Sequence, residues 1–150
     1  MYNFFNQGNN LFNEDNQNDE SSSYSEDELK SYDLKLASLE NLGGAITAMG
    51  YLLISFAGKR EYYNILSDST SIPSPIQLLL NGQVLILIGY YILWIVATNR
   101  ALVYQMRENN LASSQKKIAA SYLISIIANA LRLEGFLEIY DDENNSENNN

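Results

Sequence analysis

The chain contains neither cysteine nor histidine among its 150 residues. The absence of cysteine excludes disulfides and thiol catalysis, and the absence of histidine removes imidazole acid–base chemistry and zinc sites built on these residues. The opening residues lack the basic and apolar segments of a cleavable signal peptide, so none is expected. We therefore expect a protein that is not an enzyme, with no catalytic, cofactor-binding or metal-ligating residues.

Positive charge is scarce at both ends of the chain. The net charge is -9, and the acidic residues concentrate toward the polar ends, whereas seven of the nine basic residues lie between Lys59 and Arg132. Acidic tails repel phosphate, so nucleic acid is an unsuitable partner. Segments 1–24 and 141–150 are too poor in apolar residues to offset the entropy of ordering, and we predict that both are disordered acidic tails.

The strongest apolar signal lies in the middle of the chain. No residue is charged between Asp68 and Arg100, and segment 84–97 is apolar around the whole circumference of a helix. A soluble helix of this kind needs neighbours on every side, which a chain this short can hardly supply. We therefore predict a transmembrane helix here.

Two further uncharged stretches flank this segment. Residues 41–58 make a helix about 27 Å long, close to the thickness of the hydrocarbon layer, whereas residues 118–131 give only about 21 Å. The third helix is therefore expected either to cross the bilayer, which we favour, or to lie in its interface.

The fold predicted from these patterns is all-α: an integral membrane protein with two or three transmembrane helices. The helices are expected at about 26–66, 75–108 and 112–139, within a membrane domain spanning 25–140. The lipid bilayer is the first expected partner.

The basic residues also predict an orientation. With three spans, six Lys and Arg residues flank the side that holds the N-terminus and three flank the other side; with an interfacial third helix the contrast is seven to two. Because cytoplasmic flanks carry the excess of Lys and Arg, both versions predict a multi-pass protein with a cytoplasmic N-terminus.

Small and polar residues predict where helices pack. Small residues let helices approach closely in lipid, and polar side chains hydrogen-bond across helices. Gln77, Asn81 and Gln83, at the start of the second span, are expected to be solvated at the level of the headgroups; the alternative is an ion pathway, with Asn81 hydrogen-bonded to a neighbouring helix. The candidate packing residues are Gly43, Gly44, Ala48 and Gly50, of which Gly44 and Ala48 have the small-xxx-small spacing, and Ser121, Ser125 and Asn129, which form a polar stripe with Arg132. The candidate interface anchors are Lys59, Arg60, Trp94, Arg100 and Arg132.

Two functions fit these features. The first is a small non-enzymatic membrane protein that acts as an interaction partner or scaffold, as a homo-oligomer or with another membrane protein. The alternative is a holin-like or small pore-forming protein, suggested by the short chain and the polar stripe.

Overall fold

The computed structural model describes residues 26–67, 74–107 and 109–147. They form three helices, α1 (Glu26–Ser67), α2 (Ile76–Met106) and α3 (Leu111–Glu147), and no strand occurs within these ranges. The all-α prediction is confirmed for the described residues. The predicted tail at 1–24 lies outside them.

Local side-chain chemistry explains where the helices begin. The first turn of α1 carries Glu26, Asp27 and Glu28, whose charges suit the positive end of the helix dipole. The backbone N–H of Ile76 in α2 donates to the hydroxyl of Ser74 at 3.2 Å. In α3 the N–H of Leu111 donates to the side-chain oxygen of Asn109 at 2.9 Å. Each short connection thus supplies an acceptor for a backbone donor at the start of the following helix.

The C-terminal helix is longer than the sequence patterns indicate. α3 continues to Glu147, whereas its end was expected near residue 139, so residues 141–147 are helical rather than part of a disordered tail. Neither glycine nor proline occurs after Gly135, so no strong helix breaker stops α3 at the end of its apolar segment. Residues 148–150 lie outside the described ranges.

The helices form an antiparallel bundle centred on α2. α2 packs against both α1 and α3, and within the described ranges α1 and α3 do not pack against each other. In the most apolar part of each helix, 39% of the residues of α2 are buried, against 17% in α1 and 6% in α3. The helix that is apolar on every side is thus the one that uses two faces for packing.

All three helices are long and apolar enough to cross a membrane. They contain 42, 31 and 37 residues, and each exceeds the roughly 20 residues that a hydrocarbon layer requires. We call the end of the bundle that holds the start of α1, the end of α2 and the start of α3 the first end, and the opposite end the second end.

Candidate functional site

The seam between α1 and α2 is built on four glycines. A Cβ atom placed on Gly50 would lie 2.6 Å from the carbonyl oxygen of Gly82, and one placed on Gly43 would lie 3.1 Å from that of Gly89. The two glycines of each helix are seven residues apart, so one antiparallel register brings both pairs together. The two backbones approach so closely that a side chain has no room.

Thr47 fills the seam between the two glycine pairs. It is buried, and its hydroxyl donates to the carbonyl oxygen of Gly43 at 2.9 Å. A Cβ atom on Gly89 would collide with the Thr47 hydroxyl and would lie 2.8 Å from the Thr47 nitrogen. The Thr47 hydroxyl thus has its hydrogen-bond acceptor within α1, and the Thr47 backbone lies against Gly89 of α2.

Of the four small residues predicted to pack on α1, two are buried in the seam and two are exposed. Gly43 and Gly50 lie in the seam, whereas Gly44 and Ala48 are exposed, and a Cβ atom on Gly44 would meet nothing within 4 Å. Because successive residues are rotated by about 100° around a helix, Gly43 and Gly44 cannot face the same neighbour. The seam inside the chain therefore does not use the Gly44 and Ala48 pair.

The residues predicted to pack do not include those on the α2 side of this seam. Gly82 and Gly89 repeat the seven-residue spacing of Gly43 and Gly50. Comparing glycine spacings between the two spans would have revealed the match.

The seam between α2 and α3 contains a buried amide pair. Gln83 is fully buried, and its Nε2 donates to the backbone oxygen of Asn129 at 2.9 Å and to the Asn129 side-chain oxygen at 2.8 Å. Asn129 Nδ2 in turn donates to the carbonyl oxygen of Ser125 at 2.7 Å. The expected headgroup solvation of Gln83 is therefore wrong, although Gln77 and Asn81 are exposed.

The two serines of the polar stripe on α3 donate hydrogen bonds within their own helix. The Ser121 hydroxyl donates to the Ile118 carbonyl at 2.8 Å, and the Ser125 hydroxyl donates to the Ser121 carbonyl at 3.0 Å. Of the predicted packing residues on α3, Asn129 is buried against α2, Ser125 is half-buried and Ser121 is exposed. Serine hydroxyls bonded in this way leave no unsatisfied donor on the surface of the helix.

Two ion pairs join α1 and α2 at the first end of the bundle. Arg100 contacts Glu40 at 2.7 Å, and Arg107 contacts Asp33 at 3.1 Å. Arg100, predicted as an interface anchor, therefore binds a carboxylate of the neighbouring helix. These pairs continue the α1–α2 contact into the charged part of both helices.

A tyrosine adds a neutral contact beside these ion pairs. The Tyr32 hydroxyl donates to the side-chain oxygen of Asn99 at 3.1 Å. Burial, followed by the charge of Asp33, raises the pKa of Tyr32 above its ordinary value of 10.0. The phenol therefore remains protonated at neutral pH and keeps its role as a donor.

The other predicted anchors occupy both ends of the apolar segments. The Lys59 ammonium lies 6.0 Å from the centre of the Tyr63 ring, and Arg60 beside it is half-buried. The Trp94 ring packs against Tyr91 with centroids 5.8 Å apart. Aromatic rings and cations at these levels suit a membrane–water interface.

Arg132 differs from these anchors because it is exposed on α3 and forms no ion pair within the described ranges. Glu134, two residues further along α3, is not among the ion-pair partners in this part of the chain.

A cluster of three tyrosines connects α2 to both outer helices. The hydroxyls of Tyr51 and Tyr90 are 3.3 Å apart, and the rings of Tyr90 and Tyr122 have centroids 6.1 Å apart. Tyr90 on α2 therefore touches both outer helices, which do not pack against each other. We call the space between the outer helices, with Tyr90 at its base, the α1–α3 groove.

Within the described ranges, no group of three acidic side chains is arranged to hold a metal ion. Comparisons of the chain with protein-family models, curated proteins and solved structures find no match.

Proposed function

We propose that the chain is a three-span integral membrane protein that acts by binding other membrane components, as an interaction partner or scaffold, and not by catalysis. The observation that carries this proposal is the apolar surface left on the outer helices. Met49, Leu52 and Phe56 of α1 and Ile124, Ile127 and Leu131 of α3 are each more than half exposed.

These side chains need an apolar surrounding. Exposed apolar surface costs about 25 cal/mol per Å² in water, and soluble monomers rarely leave large contiguous patches of it. The three helices cannot bury these residues because α2 already separates α1 from α3. A bilayer removes this cost without another protein chain.

The antiparallel bundle supports the three-span version of the topology. Packing of α3 along α2 puts Lys30, Lys35, Arg100, Arg107, Lys116 and Lys117 at the first end, and Lys59, Arg60 and Arg132 toward the second. The excess of basic residues favours a cytoplasmic first end. The N-terminus is then cytoplasmic, and residues 141–147 lie on the opposite side.

The outer helices supply the surfaces for binding. α2 uses two faces inside the bundle, whereas α1 and α3 each pack against one helix alone within the described residues. In lipid, helices associate through close packing and polar contacts, and α1 and α3 retain exposed small and polar residues for this purpose.

The pore-forming alternative has weaker support. A pore needs polar groups that face a shared channel, but the hydroxyls of Ser121 and Ser125 donate to carbonyls of their own helix. We therefore expect the purified protein to leave dye-loaded vesicles intact. Rapid leakage without a partner would favour the pore instead.

Cysteine labelling tests the topology, since the native chain has no competing thiol. We expect Ile65→Cys and Asn145→Cys to react with a membrane-impermeant maleimide on intact cells, because both sites lie at the second end. The matched control Asn110→Cys, at the first end, is expected to react only after permeabilisation. Protection of residue 145 alone on intact cells would mean that α3 does not cross. Protection of both residue 65 and residue 145 would mean that the orientation is reversed.

Crosslinking in native membranes followed by affinity purification tests the binding role. We expect a self-oligomer or a distinct membrane protein to be recovered with the full chain. Recovery of neither, with the protein inserted as above, would contradict the scaffold proposal.

A further inference from the structure

The wall of the α1–α3 groove contributed by α1 is made of small residues. Gly44, Ala48, Tyr51 and Ser55 follow the four- and three-residue steps that place side chains on one side of a helix. The contact between Tyr51 and Tyr90 fixes this side as the one beside the groove. Gly44, Ala48 and Ser55 are exposed, so this wall is open along its length.

The opposite wall is polar and carries a cation. Ser121, Ser125 and Arg132 lie on one side of α3, since they are four and then seven residues apart. Tyr122 and Ser125 are three residues apart on this side of α3, and the Tyr122 ring packs against Tyr90 with centroids 6.1 Å apart, so the side that carries Ser125 and Arg132 lies beside Tyr90. Because Tyr90 lies at the base of the groove, the arginine borders the same space as the small residues of α1.

The helix register places Arg132 inside the apolar part of the bundle. Gln83 contacts Asn129 and Gly82 faces Gly50, so Arg132 lies near the level of residue 52 of α1. Lys59, the first cation of α1 toward the second end, is seven residues further out, or about 10 Å along the helix axis. Arg132 is therefore a cation that requires an anion at a level where α1 is still apolar.

We propose that the α1–α3 groove binds a phospholipid, with its phosphate on Arg132 and an acyl chain against the small residues of α1. The guanidinium supplies paired donors that match phosphate oxygens, and the phenols of Tyr51 and Tyr90 supply further hydroxyls nearby. Glycine and alanine leave room for a chain to lie along the helix. This inference rests on the proposed insertion in a bilayer and names one membrane component that the protein binds.

Charge favours a lipid over a second copy of the chain. The uncharged stretches 41–58, 69–99 and 118–131 contain no Asp or Glu, so a second copy offers Arg132 no carboxylate deeper in the bundle; the nearest one on α3, Glu134, lies about 3 Å closer to the second end. A phospholipid brings both the anion and the apolar chain.

Native mass spectrometry of the full chain in detergent, titrated with dioleoylphosphatidylglycerol, tests this inference. We expect one lipid to bind tightly, and Arg132→Gln to weaken that binding about tenfold, since a charge-assisted hydrogen bond is lost. Arg60→Gln, which removes a cation at the membrane edge, is the matched control and should bind as the native chain does. Dioleoylglycerol, which has the same chains but no phosphate, should bind as weakly to the native chain as the phospholipid binds to Arg132→Gln.

A second pair of variants leaves Arg132 intact. Ala48→Leu fills the groove and should weaken phospholipid binding, whereas Ala45→Leu adds the same volume to another exposed side of α1 and should not. If Ala48→Leu, Ala45→Leu and Arg132→Gln all bind the phospholipid equally, while cysteine labelling still shows three spans, the groove inference is overturned. The proposed function then stands. Loss of a dimer instead of a lipid adduct in Ala48→Leu would identify a second copy as the occupant and would also overturn the groove inference.

Discussion

The two seams of the bundle join helices by opposite means. Between α1 and α2, glycines remove side chains so that the backbones approach, as at Gly50 and Gly82. Between α2 and α3, large side chains span the space, through the amides of Gln83 and Asn129 and the rings of Tyr90 and Tyr122. In the proposed bilayer, lipid is as apolar as the helices, so burial of apolar side chains gives little drive for association, and close packing and hydrogen bonds must provide it.

This difference predicts different sensitivities. The stability of the α1–α2 seam should fall when a substitution adds volume, and it should change little when a substitution alters polarity nearby. The stability of the α2–α3 seam should fall when a hydrogen-bonding partner is lost, because Gln83 is fully buried and cannot bond to solvent instead.

The largest effect is expected for Gly50→Ala. The new methyl group would lie 2.6 Å from the Gly82 carbonyl oxygen and 3.0 Å from the backbone nitrogen of Ile86, so the helices must separate. We expect a loss of about 1–3 kcal/mol in the free energy of unfolding. Steric trapping in bicelles measures this change.

Gly44→Ala is the matched control, since its methyl group meets nothing within 4 Å. Alanine favours a helix over glycine, so this variant should be at least as stable as the native chain. Equal destabilisation by both substitutions would mean that the glycine seam is not the contact that holds α1 to α2.

A smaller effect is expected at the second seam. Gln83→Leu removes two hydrogen bonds to Asn129 and leaves the asparagine side-chain oxygen without its donor. We expect a loss of about 0.6–1.7 kcal/mol, from the average to the maximum for hydrogen bonds between transmembrane helices. The same unfolding assay applies.

The double variant Gln83→Leu with Asn129→Leu isolates the amide pair. Its cost should be less than the combined cost of the single substitutions, because neither polar group then remains buried alone. Strict additivity would contradict a direct contribution of this pair to the α2–α3 seam.

The smallest effect is expected for the ion pair that extends the first seam. The side chain of Arg100 is 24% exposed and that of Glu40 is 44% exposed. Partial solvation limits such a pair to about 0.2–1 kcal/mol, so Glu40→Gln should lower stability by no more than that. Exchanging the two residues, as Glu40→Arg with Arg100→Glu, should restore most of the loss; a failure to do so would show that the charges do not act as a pair.

The helices can be predicted from the sequence because helix formation depends on the pattern of residues close together in the chain. The acidic first turn at Glu26–Glu28 and the uncharged run before Arg100 predict α1 and α2 from neighbours in sequence alone. The end of α3 was harder, because α3 continues past its apolar segment to Glu147 with no breaker to mark where helix and tail divide.

The packing partners were only partly predictable. Residue type predicts that Gly43, Gly50 and Asn129 pack against a neighbouring helix, but it predicts the same for Gly44 and Ala48, which face outward. Residue type shows that close approach is allowed, whereas the rotation of each helix about its axis decides which small residue is used. That rotation depends on Gly82, Gly89 and Gln83, which lie far away in sequence.

The sequence by itself determined the all-α fold, three helices long and apolar enough for a bilayer, and the uneven placement of basic residues that orients the proposed topology. Only the tertiary structure decided that α2 is central, that α1 and α3 remain apart, and that Arg132 borders the groove between them. The physical reason is that hydrophobicity and helix propensity are carried by each residue and its near neighbours. The register between two helices and the rotation of each helix about its axis are set only when the two helix surfaces pack together.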